Sequence, residues 1–137
     1  MCSKKNIKMQ FNIKTSSELV KKLTIKMKLG NEENLIARIS LAYSLAQNYK
    51  YNSGDKFNRK DKQKEYKDHT LFGDYKEYYI SLICQKYQIP KDHTNIKKYL
   101  KWHIDKGLQL IDNYFEENKN VSGIEFLLEN IDIGIDS

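Results

Sequence analysis

The 137 residues, 39% of them hydrophobic, suffice for one domain with a modest core and are too few for a second independent one. No run reaches the roughly 18 to 20 apolar residues of a membrane span and no apolar leader opens the chain, so a soluble, cytoplasmic protein is expected. The formal net charge of +6 favours a polyanionic partner, while Cys2 and Cys84 are too few and too isolated for a disulfide framework or a zinc knuckle.

Of the 24 basic residues only Arg38 and Arg59 are arginine. So many lysines beside so many Asn, Ile and Tyr are the imprint of AT-rich coding, so the placement of charge says more than its total. Residues 1–28 hold eight lysines against the single acid Glu18, and residues 116–137 hold six acids against Lys119 alone. Charge is polarised along the chain, positive end first.

From Ile7 to Lys14 the odd positions are apolar and the even ones polar, the period of a strand with one buried face and one wet face presenting Lys8, Gln10, Asn12 and Lys14. A lone strand needs a partner, and two readings are open. It pairs with the same strand of another subunit, giving a ribbon able to enter a DNA major groove, or it packs on its own domain with incidental surface lysines. Thr15 with Glu18 fits a capping box. The helix it opens buries Leu19, Val20, Leu23 and Met27, leaves Lys21, Lys22, Lys26 and Lys28 outside, and closes at Gly30. Asn31 then caps a second helix, with Leu35, Ile36, Ile39, Tyr43 and Ala46 on one face and Arg38 on the flank.

Residues 48–69 lose all periodicity, and Ser53-Gly54-Asp55 marks a turn, so a lysine-rich loop is expected. Its Tyr49, Tyr51, Phe57 and Tyr66 interleave with lysines, as in chains that stack on unpaired bases, although a plain linker explains them equally well. After Gly73 the repeat Tyr75, Tyr78, Tyr79, Leu82, Ile83, Tyr87 predicts a helix stopped by Pro90, its tyrosines serving the core or a subunit interface. A long helix opened by Asp92 or Thr94 carries Ile96, Leu100, His103, Ile104, Gly107, Leu108, Ile111 and Phe115 along one side, with Gly107 permitting close helix approach. Ser122 with Glu125 caps a short last helix bearing Ile124, Leu127, Leu128 and Ile131, and the final acidic residues are expected to fray.

The chemistry of an enzyme is missing from this pattern. The six glycines form neither a dinucleotide-binding motif nor a P-loop. His69, His93 and His103 lack a second histidine or cysteine at ligand spacing, and His103 reads as an interior histidine. Asp74 with Glu77, or Asp105 with His103, are pairs that chance supplies in a chain that is 31% charged. No catalytic residue, cofactor or metal is expected.

Three segments stand in an order and spacing that are hard to obtain by accident. Gly30 is followed by Asn34-Leu35-Ile36-Ala37-Arg38-Ile39 and Ser44-Leu45; then comes Thr70-Leu71-Phe72-Gly73-Asp74-Tyr75; last is His103-Ile104-Asp105-Lys106-Gly107. Together they resemble the DndE family, the small subunit of bacterial DNA phosphorothioation (DNA sulfur modification) systems, over roughly residues 11–115. The chain departs from the family pattern at Glu32-Glu33, where members often carry Thr-Pro, at Lys106, where they carry Arg, and in a longer connection before Thr70. The resemblance implies a non-catalytic protein that binds double-stranded DNA, nicked duplex preferred, as a homotetramer working with the other phosphorothioation proteins. It implies a fold akin to ribbon-helix-helix proteins and leaves the sulfur chemistry to a separate cysteine desulfurase, an iron-sulfur protein and an ATPase.

The expected fold is therefore mainly α: a short N-terminal strand and four to five helices, ribbon-helix-helix-like in its N-terminal half. One domain spans residues 1–137, divided into strand-helix-helix (7–47), lysine-rich loop (48–69), helical hairpin (70–117) and acidic tail (118–137). Lys14, Lys21, Lys22, Lys26, Lys28 and Arg38 are the expected phosphate contacts. Two other readings stand beside this one: a sequence-specific regulator reading bases through Lys8, Gln10 and Asn12, and a protein adaptor using the tyrosine-rich helix and acidic tail.

Overall fold

The computed structural model describes residues 10–30, 32–52, 62–92 and 94–136, with side chains through residue 130. Its elements are β1 (Asn12–Ser16), α1 (Ser17–Lys26), α2 (Glu33–Ala46), β2 (Gln63–Lys67), a single-turn α3 (Asp68–Phe72) continued by a 3-10 turn (Gly73–Tyr75), α4 (Lys76–Tyr87), α5 (Ile96–Glu117) and α6 (Gly123–Asp136). The mainly helical architecture with a short N-terminal strand is as expected.

The strand's partner is a correction. Of the two readings left open, pairing with a second copy is the one overturned: β1 runs antiparallel to β2 of its own chain, with Ile13 opposite Tyr66 and Lys14 opposite Glu65. The segment expected to be a loop thus ends in a strand. Only Tyr66 of β2 is buried, so the alternation that betrays a strand has nothing to alternate, while ladder hydrogen bonds come from the backbone and are blind to side chains. Within β1 the expected alternation holds where it can be seen, with Ile13 buried and Lys14 exposed; residues 7–9 lie outside the described residues.

Helix α1 starts one residue later than the Thr15 box. Ser16 is the N-cap and its Oγ accepts from the Leu19 amide at 3.1 Å, while Thr15 is fully buried and donates to Asp105 Oδ1 at 2.5 Å. The helix also closes earlier than Gly30. The Lys28 amide donates to the Ile25 carbonyl and the Leu29 amide to the Thr24 carbonyl, a Schellman arrangement in which Lys28 holds the left-handed position at φ 55°. Glu32 stands at the N-cap of α2, and Asn31 lies outside the described residues.

Helix α2 turns a different face inward from the one its large apolar residues suggested. Ile36, Ala37, Ser40, Leu41 and Ser44 are buried, whereas Leu35 is 37% exposed and Ala46 is exposed. The cause lies on α5, where a Cβ on Gly107 would stand 1.9 Å from the Ser40 carbonyl oxygen. Backbones this close exclude large side chains, so the small residues of α2 line the seam. All eight residues expected along the buried side of α5 are buried, although the helix opens at Asn95, not at Asp92 or Thr94.

Along α4 the core takes Ile80 and Ile83, and Tyr75 and Tyr78 stay 59% exposed. The box before α6 forms reciprocally, the Ser122 amide donating to Glu125 Oε1 and the Glu125 amide to Ser122 Oγ, both at 3.1 Å. Phe126 is the buried anchor of that helix, while Ile124 and Leu128 face out, and helix continues to Asp136 where fraying was expected.

Candidate nucleic-acid interface

The six expected phosphate contacts divide into two groups. Lys22 is held by α5: its Nζ lies 2.7 Å from Asp112 Oδ1 and 3.0 Å from Glu116 Oε2. Hydrogen bonds to Asp112 and then Glu116 outweigh a small desolvation effect and raise the Lys22 ammonium above its ordinary value. Lys26, one turn on, sits 5.1 Å from the centroid of the Phe115 ring. Arg38 is half-buried and donates from Nε to the Leu71 carbonyl at 2.6 Å. Its guanidinium lies over Gly73, where an added Cβ would come within 2.9 Å of Nη2 and the backbone takes φ +55°. Arg38 thereby clasps the Thr70–Tyr75 turn, which explains why an arginine and a glycine 35 positions apart (73 − 38) belong to one structural unit.

Lys14, Lys21 and Lys28 are exposed and form no ion pair among the described residues, although Glu65 stands opposite Lys14 across the ribbon. Lys21 is one residue from Lys22 but about 100° around the helix, clear of the α5 carboxylates. Lys14 lies on the outer face of the ribbon, and the register brings Lys67 onto the same face, diagonal to it. Sequence reasoning missed Lys67 because β2 itself was not legible. On that face Asn12 Nδ2 donates to Glu65 Oε2 at 2.5 Å. Of the residues that could read bases, then, Asn12 is engaged, Gln10 is exposed and Lys8 lies outside the described residues.

Behind this surface the ribbon is fixed by polar contacts. Lys101 Nζ donates to the Lys14 carbonyl at 2.6 Å and to Asp105 Oδ2 at 3.0 Å, joining α5 to β1. Asp68, nearly buried, accepts from Lys76 Nζ at 2.6 Å and from the amides of Phe11 and His69. Burial works to raise its carboxyl, but Lys76 and the two amides prevail and hold it below the usual range.

His103 is fully buried between Ser44 Oγ (2.7 Å from Nδ1) and Tyr87 Oη (2.6 Å from Nε2). The Tyr87 oxygen also accepts from the Tyr51 amide at 2.7 Å, which ties the segment before the ribbon's second strand to this buried histidine. Burial first, then Lys86, lowers the imidazole to about 4, so it is neutral at physiological pH. Serine, histidine and tyrosine here form a hydrogen-bonded chain that runs from the buried Ser44 and His103 to the half-buried Tyr87. Among the described residues no group of three metal-ligating side chains gathers, and no helix is long and apolar enough to cross a membrane.

Fold and surface together define a small, mainly helical protein with a two-stranded ribbon and unpaired lysines near its amino-terminal end. The family model described as DNA sulphur modification protein DndE matches residues 8–119. The chain belongs to that family, which ties it to DNA sulphur modification. No curated protein matches it.

Proposed function

We propose that this chain is the non-catalytic DNA-binding component of a DNA phosphorothioation system, acting in the cytoplasm as a homotetramer beside the other proteins of that system. It grips the phosphates of double-stranded DNA, nicked duplex most tightly, through Lys14, Lys21 and Lys28, with Lys67 adjoining Lys14. The observation that carries this reading is the exposure of these four ammonium groups, which form no ion pair among the described residues. Lys22 and Lys26 serve the packing of α1 on α5, and Arg38 serves the turn at Gly73.

Contact is electrostatic and does not read bases. A broken strand loses stacking continuity and bends cheaply, so a protein that deforms DNA gains most at a nick. The test is a salt series on nicked and intact duplexes of random sequence. Four neutralised phosphates predict a slope of log K against log salt of about −3.6, flattened by about 0.9 in each of Lys21→Ala and Lys28→Ala. A slope near zero, equal binding of nicked and intact duplex, or selection of one intact palindrome would overturn the proposal.

A further inference from the structure

Helix α6 begins at Gly123, beyond the family-matched residues 8–119, and leaves two large apolar side chains outward. Its fourteen residues include seven apolar ones, Ile124, Phe126, Leu127, Leu128, Ile131, Ile133 and Ile135. Of those whose side chains are described, Phe126 is 1% exposed, whereas Ile124 and Leu128 are 56% and 55% exposed. Large residues left outward in pairs, one turn apart, mark a surface that something covers. In sequence the pair recurs as Ile131 and Ile135, and beside it runs an acidic series at the same offsets, Glu125, Glu129, Asp132 and Asp136. Ile124 and Leu128 exposed beside the exposed Glu125 and Glu129 are the complement of an amphipathic segment with lysines or arginines flanking its apolar face.

We infer that the outer face of α6 is a docking site for a basic amphipathic helix of a partner protein. The negative charge of residues 116–137 repels a nucleic acid, so this face is not a second DNA surface. Its first residue, Gly123, packs against Met27, the neighbour of Lys28, so docking and duplex binding are read in separate assays. The inference stands without the DNA-binding reading.

The probe is a synthetic Leu/Lys peptide patterned as an amphipathic helix, with a Leu/Glu peptide of the same pattern as its control, titrated against the full chain by fluorescence anisotropy. The Leu/Lys peptide is expected to bind and the Leu/Glu peptide not. The double variant Ile124→Ser, Leu128→Ser should weaken binding by about tenfold or more, because two exposed aliphatic side chains lose their burial. Glu125→Gln with Glu129→Gln should weaken it and flatten its salt dependence; the side-chain amide oxygen introduced by Glu129→Gln keeps the acceptor for the Tyr114 hydroxyl that Glu129 provides at 3.0 Å. All four positions are solvent-facing, so the variants are expected to keep the parent's helical circular dichroism. Retention of nicked duplex by the serine variant should match the parent, so failure of docking and failure of DNA binding register in separate assays. Equal binding of both peptides, or unchanged binding by both variants, would overturn the inference. So would sedimentation showing that the serine variant dissociates an oligomer of the parent chain, since a second copy would then occupy the face.

Discussion

Lys28 couples stability and binding in opposite directions. Replacing it with glycine removes about 1–2 kcal/mol of left-handed strain and returns about 0.5–1 kcal/mol as extra freedom of the unfolded chain, a net gain of about 0.5–1 kcal/mol. Lys28→Gly should therefore unfold at slightly higher urea than the parent while its DNA salt slope flattens. Arg38 sorts the other way. Losing its bond to the Leu71 carbonyl should cost about 1–3 kcal/mol in Arg38→Lys, read by urea denaturation, with the DNA salt slope unchanged. His103 sets an acid limit. Its imidazole titrates near 4 when folded against an ordinary value of 6.5, so between those values the unfolded chain binds the extra proton. Stability present at neutral pH should erode as pH falls from about 6.5 toward 4, by on the order of 3 kcal/mol, and His103→Gln should flatten that slope in pH-dependent melts.

At the scale of elements, legibility followed the size of the side chain that carried each contact. The buried side of α5 and the Ser122–Glu125 box could be read because large apolar residues at helical spacing, and an oxygen three positions from a carboxylate, are local patterns. The inward face of α2 could not, because the seam it forms with α5 is lined by Ala37, Ser40 and Ser44 and governed by a glycine 67 positions away (107 − 40). Gly107→Ala tests that seam. A methyl driven toward the Ser40 carbonyl forces the two backbones apart and should cost at least about 2–3 kcal/mol, far more than the helix-propensity gain of about 1 kcal/mol from removing a mid-helix glycine. Strand β2 was illegible for a different reason: four of its five residues face solvent, and what defines it is backbone pairing with β1. The candidate site inherits both limits. Its lysines could be named from composition and spacing, but their sorting into free and engaged ones depends on Asp112, Glu116, Phe115 and Leu71, all distant in the chain.

Over the whole molecule, the polarity of charge along the sequence is partly folded back on itself. The ribbon and α1 carry unpaired cations, and carboxylates from the end of α5 neutralise one of the α1 lysines. Lys22→Ala and Lys21→Ala, identical in composition, should consequently differ in duplex binding: the first leaves the salt slope near that of the parent, and the second flattens it by about 0.9. Because β1 finds its complement within its own chain, the ribbon is closed before any second copy arrives. Proteins whose ribbon is shared between protomers lose their native state when diluted, since half of the sheet departs with the partner. This one should behave otherwise: its helical circular dichroism should persist at concentrations where every assembly has come apart, leaving each copy a finished structural unit for which association is an option taken after folding.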